Sequence, residues 1–251
     1  MPDFVLRAMA AGYPDGFQLR PHAHDWGQLI YAAEGTMRIE AADMLWLVPP
    51  TRALWAPAGT VHAIAMKGAV AMRTIYVPVA RPGALAAASH ALEIGPLLRE
   101  VILHIVGLRL LRADVPAHVH MADVFLDLAA AAGRLPLFVP MPRDARAARV
   151  AKALHDDPAR GDDMARLAKL AGASVRTLQR LFLAETGLRF VAWRQRLRLI
   201  HAITALNGGA SVTAAGAGAG YASTSAFVAA FRAQMGDTPA RYLRLKEDVR
   251  R

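Results

Sequence analysis

The 251-residue chain contains no cysteine. That excludes disulfides and thiolate metal sites, so any metal must be held by histidine, carboxylate or amide ligands. No run of roughly eighteen apolar residues is present, and no basic–apolar–small signal pattern opens the chain, so it reads as soluble and cytoplasmic. No basic amphipathic segment carries an aromatic apolar face, which counts against a membrane surface as partner. Acidic residues are scarce in one part only. Through Pro140, 11 Lys and Arg face 11 Asp and Glu; from Met141 onward 19 face 9, so the whole excess of +10 sits in the C-terminal part. A one-sided, arginine-dominated basic region points to nucleic acid, because the arginine fork matches phosphate and guanine edges. The length allows two ordinary domains or one large one.

The first part reads as strands. Short apolar runs (Phe17 to Leu19, Gln28 to Tyr31, Met37 to Ile39, Met44 to Val48, Met72 to Val77) alternate with turn signals at Pro14-Asp15-Gly16, Glu34-Gly35, Pro49-Pro50 and Pro57-Ala58-Gly59. Close spacing of short strands indicates a sandwich or small barrel. His22 and His24 lie two apart, so on a strand they face one side, and His62 follows the Pro57–Thr60 turn. The series Gly16, His22, His24, Gln28, Gly35, then Pro57, Gly59, His62 resembles the two boxes of the cupin superfamily. That resemblance implies a divalent-metal site at His22, His24, Gln28 and His62. Gln28 stands where the family usually has Glu, and Met66 where the second box often ends in Asn. Three imidazoles suffice for Zn, Ni, Co or Fe with open positions; the same residues could instead hydrogen-bond an organic effector or line the core. Trp26, Tyr31, Trp46 and Trp55 either wall that pocket or fill the core.

The middle carries two apolar-periodic helices, one across Glu93 to Leu111 and one from Ala117 to Ala132, with Pro96 suited to a first turn. Their apolar faces must be covered, either by the barrel or by a second copy of the chain. Leu135-Pro136 through Pro142 is a proline-punctuated linker at the charge break.

The C-terminal part is organised around Met164 to Phe190. Two short apolar-periodic segments meet at Gly172-Ala173. The second opens on Ser174, a good N-cap, and carries Arg176, Thr177, Gln179 and Arg180 opposite its leucines. Asp162 is positioned to cap the first segment. A long helix from about Phe190 to Leu206 follows, then a second pair: Val212 to Ala219, a Gly220-Tyr221 turn, and Ser223 to Met235. The segment GYASTSAFVAAFRAQMGDTPARYLR, Gly220 to Arg244, carries a Gly-aromatic turn, a Phe–x₃–Phe spacing and a Thr-Pro-x-x-Tyr ending. With the two motifs joined by one helix, it resembles the DNA-binding domain of the AraC/XylS family of transcription regulators. A cupin-like sensor ahead of such a domain is that family's common architecture.

The resemblance implies a multidomain α+β chain. Residues 1–80 form a cupin-like sensing barrel, 81–142 a two-helix connector that dimerises, and 143–251 an all-α domain with two helix-turn-helix motifs. It implies double-stranded DNA and a small-molecule or metal effector as partners, a homodimer, and no enzymatic activity; a metal-dependent cupin enzyme with a basic helical appendage is the alternative. The DNA-binding set it implies is Ser174, Arg176, Thr177, Gln179 and Arg180 in the first motif, and Ser223, Thr224, Ser225 and Arg232 in the second. In the first, Arg176, Thr177 and Arg180 read bases, with Gln179 as a lesser candidate, and Ser174 opens the helix. In the second, Ser223, Thr224 and Ser225 lie at the groove-facing start, where their hydroxyls mostly fix phosphates, with Arg232 towards phosphate. Where the family has branched residues this chain has Ala215, Ala217 and Ala219. Gly216 and Gly218 each cost about 1 kcal/mol of helix propensity, so the second motif is expected to be the looser.

Overall fold

Apolar runs bounded by glycine and proline form strands in the first half of the chain, and 3.6-residue periodicity forms helices in the second. The computed structural model describes residues 4–79, 85–133 and 138–250, with side chains to Arg244. The Arg81-Pro82-Gly83 break and the Leu135-Pro136 start of the linker lie outside the described residues. The strands are β1 (Phe4–Tyr13), β2 (Gln18–His22), β3 (Gly27–Ala41), β4 (Met44–Val48), β5 (Arg52–Ala56), β6 (His62–Val77), β7 (His90–Glu93), β8 (Leu110–Arg112) and β9 (Phe138–Pro140). The helices are α1 (Pro96–Leu108), α2 (Pro116–Ala131), α3 (Ala145–Asp156), α4 (Met164–Ala171), α5 (Val175–Thr186), α6 (Phe190–Asn207), α7 (Val212–Gly218), α8 (Thr224–Met235) and α9 (Pro239–Arg250). Two compact units divide them. The first takes in residues 4–42 and 46–133, the second 43–45 and 138–248.

In the first unit the strands run β7-β5-β3-β6-β1-β8, with β2 also on β6. The sheet is organised by two long antiparallel strands, β3 and β6, paired from Gly27↔Val77 to Ala41↔His62. Glu34-Gly35, expected to end a strand, is instead a bulge inside β3, where the register shifts on both sides of Glu34. Gly35 has φ +74, and a Cβ there would meet the Ala69 carbonyl oxygen at 2.3 Å. Only glycine allows that approach, so the strand bends and continues rather than reversing.

Both faces of β3 are buried, for different reasons. Leu29 and Tyr31 join Ile75 and Val77 beneath the helices, packing with Leu98, Ile102 and Ile105 of α1 and Phe125 and Leu126 of α2. Gln28, Ile30 and Thr74 belong to the other face. The inner stripe of the two helices is therefore covered within the chain, while Leu97 (64% exposed), Leu108 and Val124 remain outside. The stripe expected to run as one helix to Leu111 stops at Leu108. Arg109 turns at φ 64, and the next three residues become β8, paired with β1, which buries Leu111. Tyr31, Trp46 and Trp55 are core residues; Trp26 stacks on Phe4 with ring centroids 4.9 Å apart.

In the second unit, side-chain caps open most helices. Ser174, Ser211 and Ser223 each accept from the backbone N–H three residues on. Asp163, not Asp162, caps α4. Both interhelical turns close in the same way, Ala173 N–H to Ala168 O (3.0 Å) and Tyr221 N–H to Gly216 O (3.0 Å), with Gly172 and Gly220 at positive φ. Aromatic contacts hold each pair. Phe182 lies edge-on to Phe190 and Trp193, and Phe227 meets Tyr221 and Phe231.

Of the two glycines of α7, one answers a packing requirement and the other does not. A Cβ on Gly216 would stand 3.0 Å from Phe227 Cβ, Cγ and Cδ1, whereas Gly218 faces open space. Ala217 is exposed, so no core is missing there, and only Ala215 and Ala219 are buried. Gly216→Ala should therefore destabilise by about 1–3 kcal/mol through overpacking, and Gly218→Ala should stabilise by about 0.5–1 kcal/mol through helix propensity. Urea unfolding of the two variants checks this; equal shifts in one direction would sink it.

Candidate nucleic-acid interface and effector site

Two sets of arginines in the second unit stand in opposite environments, while others, such as Arg143, Arg146 and Arg241, form surface ion pairs. Arg194 of α6 donates through Nη1 to Asp162 O (2.9 Å) and through Nη2 to Arg160 O, and Arg198 donates to Pro158 O (3.3 Å). These side chains clamp residues 157–162, between α3 and α4. The same segment packs on Gly220, whose added Cβ would meet Ala159 Cα and Pro158 O at 2.8 Å. Burial, reinforced by Arg198 and opposed by Asp162, pulls the Arg194 pKa down, and the two carbonyls give the part-buried guanidinium the hydrogen bonds that a buried charge needs. Arg196 lies over the Phe138 ring at 5.4 Å.

Arg176, Arg180 and Arg232 form the other group. They are exposed and enter no hydrogen bond or ion pair among the described residues. On α5, Leu178, Leu181 and Phe182 are buried, and Arg176, Gln179 and Arg180 project from the opposite side. Ser174 and Thr177 are spent locally. The Ser174 hydroxyl oxygen accepts from Thr177 N–H (3.1 Å), and the two hydroxyls lie 2.9 Å apart. On α8, Ser223 is likewise a cap, and Thr224 Oγ1 donates to Thr213 Oγ1 (3.3 Å). Ser225 stays exposed. An open surface depression along α8 is lined by Thr224, Ser225, Val228, Ala229 and Arg232. Two features were not read from the sequence. One is the clamping role of Arg194 and Arg198, which depends on long-range carbonyl partners. The other is the apolar middle of the α8 outer face, which a search for polar side chains passes over.

In the first unit, His22, His24 and His62 come together, with ligand nitrogens all within 4.8 Å of one another. Register explains two of them: His22 of β2 lies opposite His62 of β6. Their rings are 4.4 Å apart, and His24 is 5.0 Å from His22 and 5.5 Å from His62. His22 Nδ1 faces Arg20 O (2.7 Å) and His62 Nδ1 faces Thr60 O (2.9 Å). A carbonyl can only accept, so both Nδ1 atoms carry a proton, and in the neutral form of either ring Nε2 is the atom with the lone pair. His62 is 2% exposed, and the Nε2 atoms of His24 and His62 are buried without a partner. Burial lowers the pKa of both, for His24 with help from His22 against Asp25, and for His62 against its Thr60 hydrogen bond. Both are therefore held as neutral imidazoles. Gln28, 3% exposed, donates through Nε2 to Thr74 Oγ1 (2.9 Å), which itself donates to Leu29 O, leaving Gln28 Oε1 buried and unpartnered. Met66, where a second-box Asn often stands, is fully buried.

Two family models cover the chain: an AraC-like ligand binding domain matches residues 4–170, and a helix-turn-helix domain matches residues 167–245. The chain belongs to the AraC family. The HTH-type transcriptional regulator NimR of Escherichia coli (strain K12) is 30% identical over 224 residues, 88% of this chain and 81% of that protein. The DNA-binding domain of AdpA, solved in complex with a target DNA, is 28% identical over 43% of this chain and 97% of its own, with a TM-score of 0.41. ToxT from Vibrio cholerae O395 is 12% identical over 96% of this chain and 98% of its own, also at a TM-score of 0.41. An AraC-family chain with these two domains is a DNA-binding transcription regulator with a ligand-binding domain. Its relatives are regulators, which removes the reading of a metal-dependent cupin enzyme. Among the described residues no helix is long and apolar enough to cross a membrane.

The two arginine groups should separate in unfolding experiments. Arg176→Ala and Arg180→Ala are expected to stay within about 0.5 kcal/mol of wild type, as exposed substitutions do. Arg194→Ala should cost about 1–3 kcal/mol, because it frees two backbone carbonyls and the segment they hold. Thermal unfolding that ranks them otherwise would overturn the division.

Proposed function

We propose that this AraC-family regulator reads a promoter in the cytoplasm by placing α5 and α8 in successive major grooves of double-stranded DNA, about one helical turn apart. The observation that carries this is the pair Arg176 and Arg180, one helical turn apart on the outer side of α5, exposed and with no side-chain partner among the described residues. A guanidinium that no carboxylate or carbonyl engages is available to fork onto guanine O6 and N7, and each such fork discriminates by about 1–3 kcal/mol. Gln179 supports them, Ser174 and Thr177 hold the helix start at the groove, and Arg232 serves a phosphate. The chain acts as a homodimer, joined through the apolar residues left outside on α1 and α2, Leu97, Leu108 and Val124.

The effector side of the reading rests on three clustered imidazoles, two of which, His24 and His62, burial pushes toward the neutral form. His22, His24 and His62, with the Gln28 amide oxygen, form a donor set suited to a divalent Zn, Ni, Co or Fe ion. Buried lone pairs without donors call for a Lewis acid or a hydrogen-bond donor, and two of the three imidazoles have their tautomer fixed for the former. A bound ion would supply a positive centre for an anionic group of a small effector; the cluster itself contains no carboxylate.

Two measurements test these readings. In promoter-DNA titrations, Arg176→Ala with Arg180→Ala should weaken specific binding by about 30-fold or more while leaving non-specific binding within a few-fold. Equal specific affinity of the double variant would defeat the assignment. Titration with Co²⁺, followed by its visible absorption, should show one ion per chain in the wild type and none in His62→Ala. A wild-type chain that takes up no ion would turn the site over to an organic hydrogen-bond donor.

A further inference from the structure

The two helices assigned above to the major groove do not carry the same chemistry. The outward side of α5 presents Arg176, Gln179 and Arg180. On α8, Phe227 and Phe231 point inward, so the outward side is centred on Ser225, Ala229 and Arg232, flanked by Val228. The polar groups at the start of α8 are already engaged: Ser223 caps Ala226 N–H, and Thr224 donates to Thr213. Between Ser225 and Arg232, about 10 Å of helix by the rise per residue, the surface offers only methyl groups. Ala226 and Ala229 are exposed and Val228 is half-exposed at the edge of the depression.

A methyl surface in a major groove has one favourable counterpart, the 5-methyl group of thymine. Every other base edge there presents N or O atoms that would lose water without gaining a partner. We propose that α8 reads thymine through its 5-methyl group, with Val228 and Ala229 as the specificity-determining residues. This rests on the assignment of α8 to a major groove. The operator is then chemically lopsided: a guanine-containing half under α5 and a thymine-containing half under α8. Val228 is suited to the role because its branched side chain is stiff and presents its methyls in a narrow set of directions. Ala229 leaves room for a base edge to approach the backbone.

The test uses the full chain and duplex DNA. Selection from a randomised duplex should enrich sites with two unlike halves one helical turn apart. Arg176→Ala with Arg180→Ala should relax only the guanine half, which identifies the other as that of α8. Replacing thymine by deoxyuridine in the α8 half removes nothing but the methyl, and should weaken wild-type binding about four-fold per contacted base. Val228→Ser should lower affinity for the thymine site and abolish the uracil effect at one position; Ala229→Ser, fully on the surface, should do so at a neighbouring position without touching the fold. An α8 half enriched without thymine overturns the inference, as does a wild-type chain that binds uracil and thymine duplexes equally. If selection enriches no sequence at all, the groove assignment itself fails and this inference falls with it, a result distinguishable from a sequence-specific site that lacks thymine.

Discussion

The DNA-binding half depends on a single helix that must bury two sides at once. Phe190, Trp193 and Leu197 of α6 are buried toward the first motif, where Phe182 lies edge-on to Phe190 and Trp193. Ile203 and Leu206 continue the buried stripe further along, where Asn207 contacts Tyr242, which also touches Phe231 of the second motif. A helix apolar on so many sides cannot stand alone in water, so each motif is needed to cover part of it. The 18 residues of α6 span about 27 Å at the standard rise per residue. That rigid length sets the separation of the two motifs, on the scale of one DNA turn. Arg194 and Arg198 extend the same constraint, tying residues 157–162 to α6 through backbone carbonyls.

Close packing then decides where small residues are needed. Phe227 rests on Gly216, and the 157–162 segment rests on Gly220. In each case a backbone approaches too closely for a side chain, and the cost in helix propensity at Gly216 is offset by aromatic burial. Gly218, with open space around it, has no such role. From the sequence alone the two glycines of α7 are indistinguishable. The difference lies in a long-range contact with a residue eleven positions away, which no local pattern encodes.

The same limit separates what was legible from what was not. The helix-turn-helix pairs could be read because their signals are local: serine caps, a glycine at positive φ, and leucines at helical spacing. His22, His24 and His62 were read as a set through the cupin resemblance. Sheet register accounts for His22 opposite His62, whereas His24 lies just past the end of β2 and not on the strand face expected from its two-residue spacing. The Glu34-Gly35 bulge was misread as a turn, since a glycine between apolar runs looks alike in both. Leu110 and Leu111, the first two residues of β8, were misread as the end of α1, since they fit the helical stripe as well as the strand. β1, a strand of ten residues, was not anticipated, because Phe4 to Tyr13 lacks clean alternation and gains its order from pairing with β6.

The functional assignments come from a comparison of polar groups that the fold consumes with those it leaves over. Arg194 and Arg198 are consumed, and they are structural; Arg176 and Arg180 are left over, exposed, in the part of the chain that carries its excess charge. The histidines show the same contrast within single rings. Nδ1 of His22 and His62 is spent on a backbone carbonyl, which orients the ring, and the Nε2 atom that remains on His62 is buried without a donor. A buried acceptor left unsatisfied is costly, and the buried Nε2 atoms of His24 and His62 are such acceptors; the effector proposed for this domain is what would satisfy them. On α8 the contrast runs the other way. Its hydroxyls are largely consumed by capping and by Thr213, so what remains for a ligand is apolar. In the proposed readings, what selects each partner is therefore what the packing of the protein leaves unsatisfied, and not residue type alone.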